Sequence, residues 1–207
     1  MNLLCSFSWL WWSIIGFVAG SFPFSVWLGN LIIRTDIRQF GDHNPGSMNA
    51  WKGGGPKLGI PALILDYLKG AIPVYMAAYI FSISDWPLVP VSLAPVCGHA
   101  FSPFLKFRGG RGIAVTFGIW SGLTLWEGPT ILGAFLAIFL LFQADDRWTF
   151  ILGMLGLLGY LLWQETASYV YVIWSVNLLV FCIMSRRDLG TLPRPRRWVF
   201  KILRRRN

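Results

Sequence analysis

Apolar residues fall in seven runs, near residues 9–33, 58–82, 88–105, 112–126, 129–144, 148–163 and 167–184. Short polar or glycine-rich breaks separate them. Several runs fall below the roughly 20 residues that a perpendicular membrane-spanning helix needs. The break between the fourth and fifth, Thr124-Leu125-Trp126-Glu127-Gly128-Pro129-Thr130, is brief. That pair therefore reads either as two spans or as one re-entrant hairpin. No internal repeat interrupts the pattern, and no stretch is low in complexity.

The breaks are not alike. Arg34, Arg38, Lys52 and Lys57 share one, Lys106, Arg108 and Arg111 another, and Arg147 a third. The tail holds every other Lys and Arg except Lys69. The alternate breaks carry Asp85, Glu127 and Glu165. Cytoplasmic segments are enriched in Lys and Arg, so the pattern predicts seven helices with the N-terminus outside and the tail in the cytoplasm. Six or eight helices would move Arg147 or the tail to the wrong side. Trp9, Trp11, Trp12, Trp86, Trp126 and Trp163 fall at predicted outer ends, where an indole ring suits the headgroup region.

Composition agrees. Of 207 residues, 55% are hydrophobic and 13% charged. Soluble domains carry roughly 25% charge. Mean hydropathy is +0.56. These values exclude a disordered or fibrous chain and predict an all-α integral membrane protein. The length allows one domain: a membrane domain over 1–185, with cytoplasmic loops 34–57 and 106–112, and a basic interfacial tail over 186–207. The net charge of +9 would suggest nucleic acid in a soluble protein. Here it gathers in the tail, where Trp198, Val199, Phe200, Ile202 and Leu203 alternate with basic residues. That alternation predicts an amphipathic anchor on anionic lipid headgroups. Cys5, Cys97 and Cys182 are scattered, so neither a disulfide framework nor a metal site is expected. The N-terminus lacks a basic leader region and is not read as a cleaved signal.

Three segments carry candidate chemistry. The first, residues 41–57, holds Asn44, Ser47, Asn49 and Lys52 among glycines. Glycine lets backbone approach a ligand, and amides with lysine supply donors for an anion. The alternative is an ordinary loop. The second is Arg108-Gly109-Gly110-Arg111-Gly112, ahead of the run at Ile113. Glycine-loop amides at a helix start make an anion site, and arginines grip phosphate oxygens in pairs. Membrane-face anchoring is the competing explanation. No Walker A pattern is present. The third is Asp66 and Lys69, which share a helical face. Intramembrane charges mark function by default, though a self-neutralising structural pair fits equally. His99 lies in the third run and reads as a hydrogen-bonding group, while His43 belongs to the first loop. A cationic, amide-rich cytoplasmic pocket for an amphiphilic, phosphate-bearing substrate follows.

These residues resemble the PlsY family of acyl-phosphate:glycerol-3-phosphate acyltransferases. The likeness rests on Gly20-Ser21-Phe22-Pro23-Phe24, Asp36-Ile37-Arg38, Gly41-x-x-Asn44-x-Gly46-x-x-Asn49, Leu65-Asp66-Tyr67-Leu68-Lys69-Gly70, Gly98-His99 and Phe107-Arg108-Gly109-Gly110-Arg111-Gly112. The resemblance implies a seven-span enzyme of the bacterial plasma (inner) membrane with a cytoplasmic active site. It implies transfer of a fatty acyl group from acyl phosphate to the 1-hydroxyl of glycerol 3-phosphate, giving lysophosphatidic acid and phosphate for phospholipid synthesis. No cofactor, metal or nucleic acid is implied. Asn44, Asn49, Lys69 and Arg111 are the expected catalytic residues. Lys52, His99, Arg108, Gly109, Gly110, Gly112, Arg147 and Arg186 are expected to bind substrate, Arg147 and Arg186 in place of parts of a third motif. The H-x-x-x-x-D pair of unrelated acyltransferases is missing, because Met48 follows His43 and Phe104 follows His99 at the aspartate position.

The chain departs from the family pattern at several positions. Asp42 replaces a serine, Met48 a threonine and Lys52 an arginine. Arg108 and Arg111 replace lysines, which differ from them in donor geometry. Arg147-Trp148-Thr149-Phe150 loses a serine, and Arg186-Arg187-Asp188-Leu189-Gly190 loses a histidine and an asparagine. Asp42 would repel an anion if it lined the site. Two alternatives remain: a different phosphorylated acceptor, or a non-catalytic membrane protein that binds anionic lipid. A transporter is weaker, since it needs a polar path through spans that are plainly apolar in their outer halves.

Overall fold

A computed structural model describes residues 8–186, 188–190 and 192–196. The amphipathic tail expected over 186–207 therefore lies mostly outside the described residues. Those described form helices α1 (Ser8–Ser21), α2 (Phe24–Ile32), α3 (Ser47–Gly54), α4 (Pro56–Tyr75), α5 (Leu88–Ala100), α6 (Ile113–Thr124), α7 (Glu127–Phe142), α8 (Asp146–Trp163) and α9 (Ser168–Ser185). A π turn at Met76–Ile80 prolongs α4, and 3-10 turns occupy Ile37–Gln39 and Pro103–Leu105. Each apolar run coincides with helix. The segments Ser8–Ile32, Pro56–Ile80, Leu88–Leu105 and Ser168–Ser185 are long and apolar enough to cross a membrane, while α6 and α7 are apolar but shorter. Large apolar side chains such as Ile14, Leu31, Ile72, Leu141 and Leu179 point outward, as lipid-facing residues do.

Two local features differ from a plain reading of the apolar pattern. The first run is broken at Phe22-Pro23, because proline cannot continue the hydrogen-bond ladder of α1. Neighbouring helices satisfy the freed groups. Ser102 Oγ donates to the Ser21 carbonyl at 2.6 Å, and Lys69 Nζ donates to the Phe22 carbonyl at 2.9 Å. The second is the segment expected as part of loop 34–57, which contains a true helix, α3. Ala50 of α3 is buried with Val26, Ile37, Leu58 and Ala62, and that apolar contact is what orders it. Gly55, with φ +64°, ends α3 and starts α4, a turn in which any other residue would be strained.

Helices cross closely where small residues meet. A Cβ on Gly118 of α6 would lie 2.1 Å from the Tyr67 carbonyl oxygen of α4, and one on Gly98 of α5 would lie 2.2 Å from the Phe17 carbonyl oxygen of α1. Such close backbone approach is the usual glue of membrane helices. Beside these seams, Trp120, Leu132, Phe150, Met154, Leu157 and Phe181 fill a core shared by α6, α7, α8 and α9.

Candidate active site

A cavity of about 270 Å³ opens between the first loop and the starts of α3, α6 and α8. Asp42, Asn44, Ser47, Lys52, Asp66, His99, Arg111, Gly112, Asp146 and Thr149 contribute to its polar side, and Met48, Leu136, Leu140 and Phe150 to its apolar side. Three helix N-termini therefore face one space. At α3 and α6 the first N–H groups and the partial positive charge favour anions, whereas at α8 the Asp145 carboxylate already takes the Arg147 N–H at 2.9 Å and Asp146 adds a negative charge.

The first loop is braced from within. Asn49 is buried; its Nδ2 donates to Asp42 Oδ1 at 3.0 Å and to the Asn44 carbonyl at 2.9 Å. Gly41 has φ +59°, and a Cβ there would meet Asn49 Oδ1 at 2.3 Å and Lys52 Nζ at 3.0 Å. Only glycine allows the turn to close over both groups. The Asn44 side chain accepts the Arg111 backbone N–H at 3.2 Å, which ties the loop to the start of α6.

Arg111 is the centre of charge. Its Nη1 lies 2.7 Å from Asp42 Oδ2, and its Nη2 lies 2.8 Å from Asp188 Oδ2. Asp188 also reaches Arg147 at 3.4 Å. Arg147 in turn forks onto Asp145, the cap of α8, with Nε 2.7 Å from Oδ1. Burial raises the Asp42 carboxyl, but Arg111, the Asn44 N–H and the Asn49 amide outweigh it and hold the group below its ordinary range. Hydrogen bonds from Arg147 hold Asp145 below that range as well. The C-terminal segment meets the same region: Arg194 N–H donates to Gln143 Oε1 at 3.0 Å, and Arg196 N–H to the Phe142 carbonyl at 2.8 Å.

Among the expected residues, Asn44, Lys52, His99, Arg111 and Gly112 line the cavity. Asn49 stands behind it as a brace. The remaining expected residues are placed off the cavity lining. The Gly109 and Gly110 N–H groups are not aimed at an anion, because they donate to the Ala100 and His99 carbonyls at 3.0 and 3.2 Å. Their role is contact: a Cβ on Gly109 would sit 1.8 Å from the His99 carbonyl oxygen, and one on Gly110 would sit 2.4 Å from His99 Nε2. Arg108 and Arg186 are exposed and off the cavity lining. Arg147 reaches Asp188, the partner of Arg111, at 3.4 Å and is not among the lining residues. Lys69 is withdrawn into the protein, 2.7 Å from Asp66 Oδ1, so the self-neutralising pair is the arrangement found. Ser25 completes it by donating to Asp66 Oδ2 at 2.8 Å.

Sequence reasoning missed the pairing of Asp42 and Asp188 with Arg111, and the place of Asp146 and Thr149 in the lining. The signal was present at Asp42, a carboxylate where the resembled pattern has a serine.

Known proteins resemble this chain in sequence and in fold. The family described as glycerol-3-phosphate acyltransferase matches residues 10–192. Glycerol-3-phosphate acyltransferase 1 of Thermotoga maritima is 39% identical over 189 residues, spanning 84% of this chain and 93% of that protein. The glycerol-3-phosphate acyltransferase of Leptospira borgpetersenii is 32% identical over 201 residues, 93% and 87% of the two chains. The crystal structure of PlsY, an integral membrane glycerol 3-phosphate acyltransferase, in its glycerol 3-phosphate form superposes with a TM-score of 0.81 at 26% identity, covering 88% of this chain and 90% of that one. Its lysophosphatidic acid form gives 0.78 at 25% identity.

Proposed function

This chain belongs to the glycerol-3-phosphate acyltransferase family, and from that premise we propose how its cavity carries the reaction. The protein is an all-helical, multi-pass membrane acyltransferase of phospholipid synthesis. Its acyl donor is acyl phosphate, and its acceptor is the 1-hydroxyl of glycerol 3-phosphate. The hydroxyl oxygen attacks the acyl carbon and forms the ester bond. The bond from that carbon to the phosphate oxygen breaks. The hydroxyl proton leaves with the departing inorganic phosphate. The donor is already activated, so no nucleophilic side chain is required.

What the protein supplies is position and charge. The observation that carries this reading is the convergence of the N-termini of α3 and α6 with Arg111 and Lys52 on one cavity. Arg111, Lys52 and the helix starts hold the phosphates. Asn44 and His99 offer hydrogen bonds to the acceptor, and Asn49 keeps the loop in register. Leu136, Leu140 and Phe150 receive the first methylenes of the acyl chain.

The remaining architecture follows the basic residues. The chain forms one membrane domain of seven spans, with its N-terminus outside and its tail and cavity on the cytoplasmic side of a bacterial inner membrane. The basic tail adds contact with anionic headgroups. The test of the chemistry is direct. Purified protein in detergent receives palmitoyl phosphate with and without glycerol 3-phosphate, and phosphate release is followed. Release that depends on the acceptor and falls by about 10²-fold or more in Arg111→Ala, the scale for a lost transition-state donor, is expected. Equal release from the variant sinks the assignment of Arg111.

A further inference from the structure

Asp42 is the one acidic side chain of the first loop that both lines the cavity and touches its central cation. Its Oδ2 sits 2.7 Å from Arg111 Nη1. Its Oδ1 takes the Asn44 N–H at 3.2 Å and the Asn49 amide at 3.0 Å. The carboxylate is thus held on the guanidinium by two further donors. On its other side, Arg111 Nη2 is engaged by Asp188. Both terminal nitrogens of the guanidinium therefore carry a carboxylate oxygen before any phosphate arrives.

A phosphate dianion entering the cavity meets an arginine whose charge is already matched twice. It must either displace Asp42 from Nη1 or share the cation with it. Both cost binding energy, because like charges at this range repel and the Asp42 carboxylate would lose its partner. We propose that Asp42 is an affinity-setting residue: a built-in anion that competes with substrate and product phosphate for Arg111. Its effect is to weaken phosphate binding and to hasten release of inorganic phosphate. It is not the base of the reaction, since Arg111, Asn44 and Asn49 occupy its oxygens. This rests on the acyltransferase reading for the identity of the phosphates, but not for the competition itself.

Asp42→Asn keeps the shape and removes the charge, and Asp42→Ser is the second variant in case the amide packs poorly. Two measurements separate the outcomes. The first uses inorganic phosphate alone, titrated against the thermal unfolding of the detergent-solubilised protein. Both variants are expected to bind phosphate on the order of tenfold more tightly than the parent, as removal of a like charge beside an anion site implies. The second is steady-state transfer with palmitoyl phosphate and glycerol 3-phosphate. The variants are expected to show a lower KM for glycerol 3-phosphate and stronger inhibition by phosphate, without a matching gain in kcat. Phosphate binding that is unchanged or weaker in both folded variants overturns the competition. A higher KM with lower kcat would instead make Asp42 a brace for Arg111. Tighter phosphate binding in a protein that shows no transfer would leave the competition standing and remove the acyltransferase reading.

Discussion

Lys69 is surrounded by groups that need its protons. Asp66 Oδ1 lies 2.7 Å away and the Phe22 carbonyl 2.9 Å, and the Phe24 ring centre is 5.7 Å from Nζ. A charge in this setting survives because every partner is fixed in advance. Removing it strands a buried carboxylate and a carbonyl without their cationic partner. Lys69→Met is therefore expected to lose about 3–5 kcal/mol of stability, the range for breaking a buried pair. Thermal unfolding in detergent reads that loss. Asp66→Leu added to Lys69→Met should restore part of it. A Lys69→Met protein that unfolds like the parent yet transfers no acyl group would return Lys69 to a catalytic role.

At the scale of elements, the hydrophobic pattern located the helices but not their interruptions. The run over 9–33 reads as continuous because Phe22, Pro23 and Phe24 are all apolar; only the geometry of proline divides it. The opposite holds for α3. Its sequence, Ser-Met-Asn-Ala-Trp-Lys-Gly-Gly, looks like loop because two glycines and few apolar residues give weak local preference. Tertiary contact through Ala50 decides the matter. Glycine at helix crossings was equally hidden, since spacing along one helix does not reveal the partner's backbone. Gly118→Val brings methyl groups against the Tyr67 carbonyl, already only 2.1 Å from an ideal Cβ. Separation of α4 and α6 is expected to cost about 1–3 kcal/mol or more, read as a lower unfolding temperature with helix content retained in the far-ultraviolet spectrum. An unchanged unfolding temperature would show that this seam can open freely.

For the whole molecule, the distribution of basic residues is what predicts seven spans and their orientation. Much of the cavity lining was legible: Asn44, Lys52, His99, Arg111 and Gly112 stand in the glycine-rich segments or beside them. The carboxylate partners of Arg111 were not, because Asp42 and Asp188 are 146 positions apart in the chain and nothing local announces that they meet. Orientation is testable on the intact protein. With the native cysteines replaced, single cysteines at Lys57 and Glu165 are labelled in sealed right-side-out vesicles by a reagent that does not cross membranes. Labelling at 165 but not at 57 is expected, and the reverse would invert the topology.

The ion pairs at Arg111 also bear on when the enzyme becomes an enzyme. Arg111 draws one partner from 69 residues before it and another from 77 residues after it. A membrane helix is complete once it has entered the bilayer, with its own backbone satisfied. The cavity gains nothing from that step. It comes into being only at the later docking of helix on helix, when two distant stretches arrive at the same guanidinium. Insertion makes the parts and association makes the catalyst, so a half-assembled molecule has its membrane helices and is chemically silent.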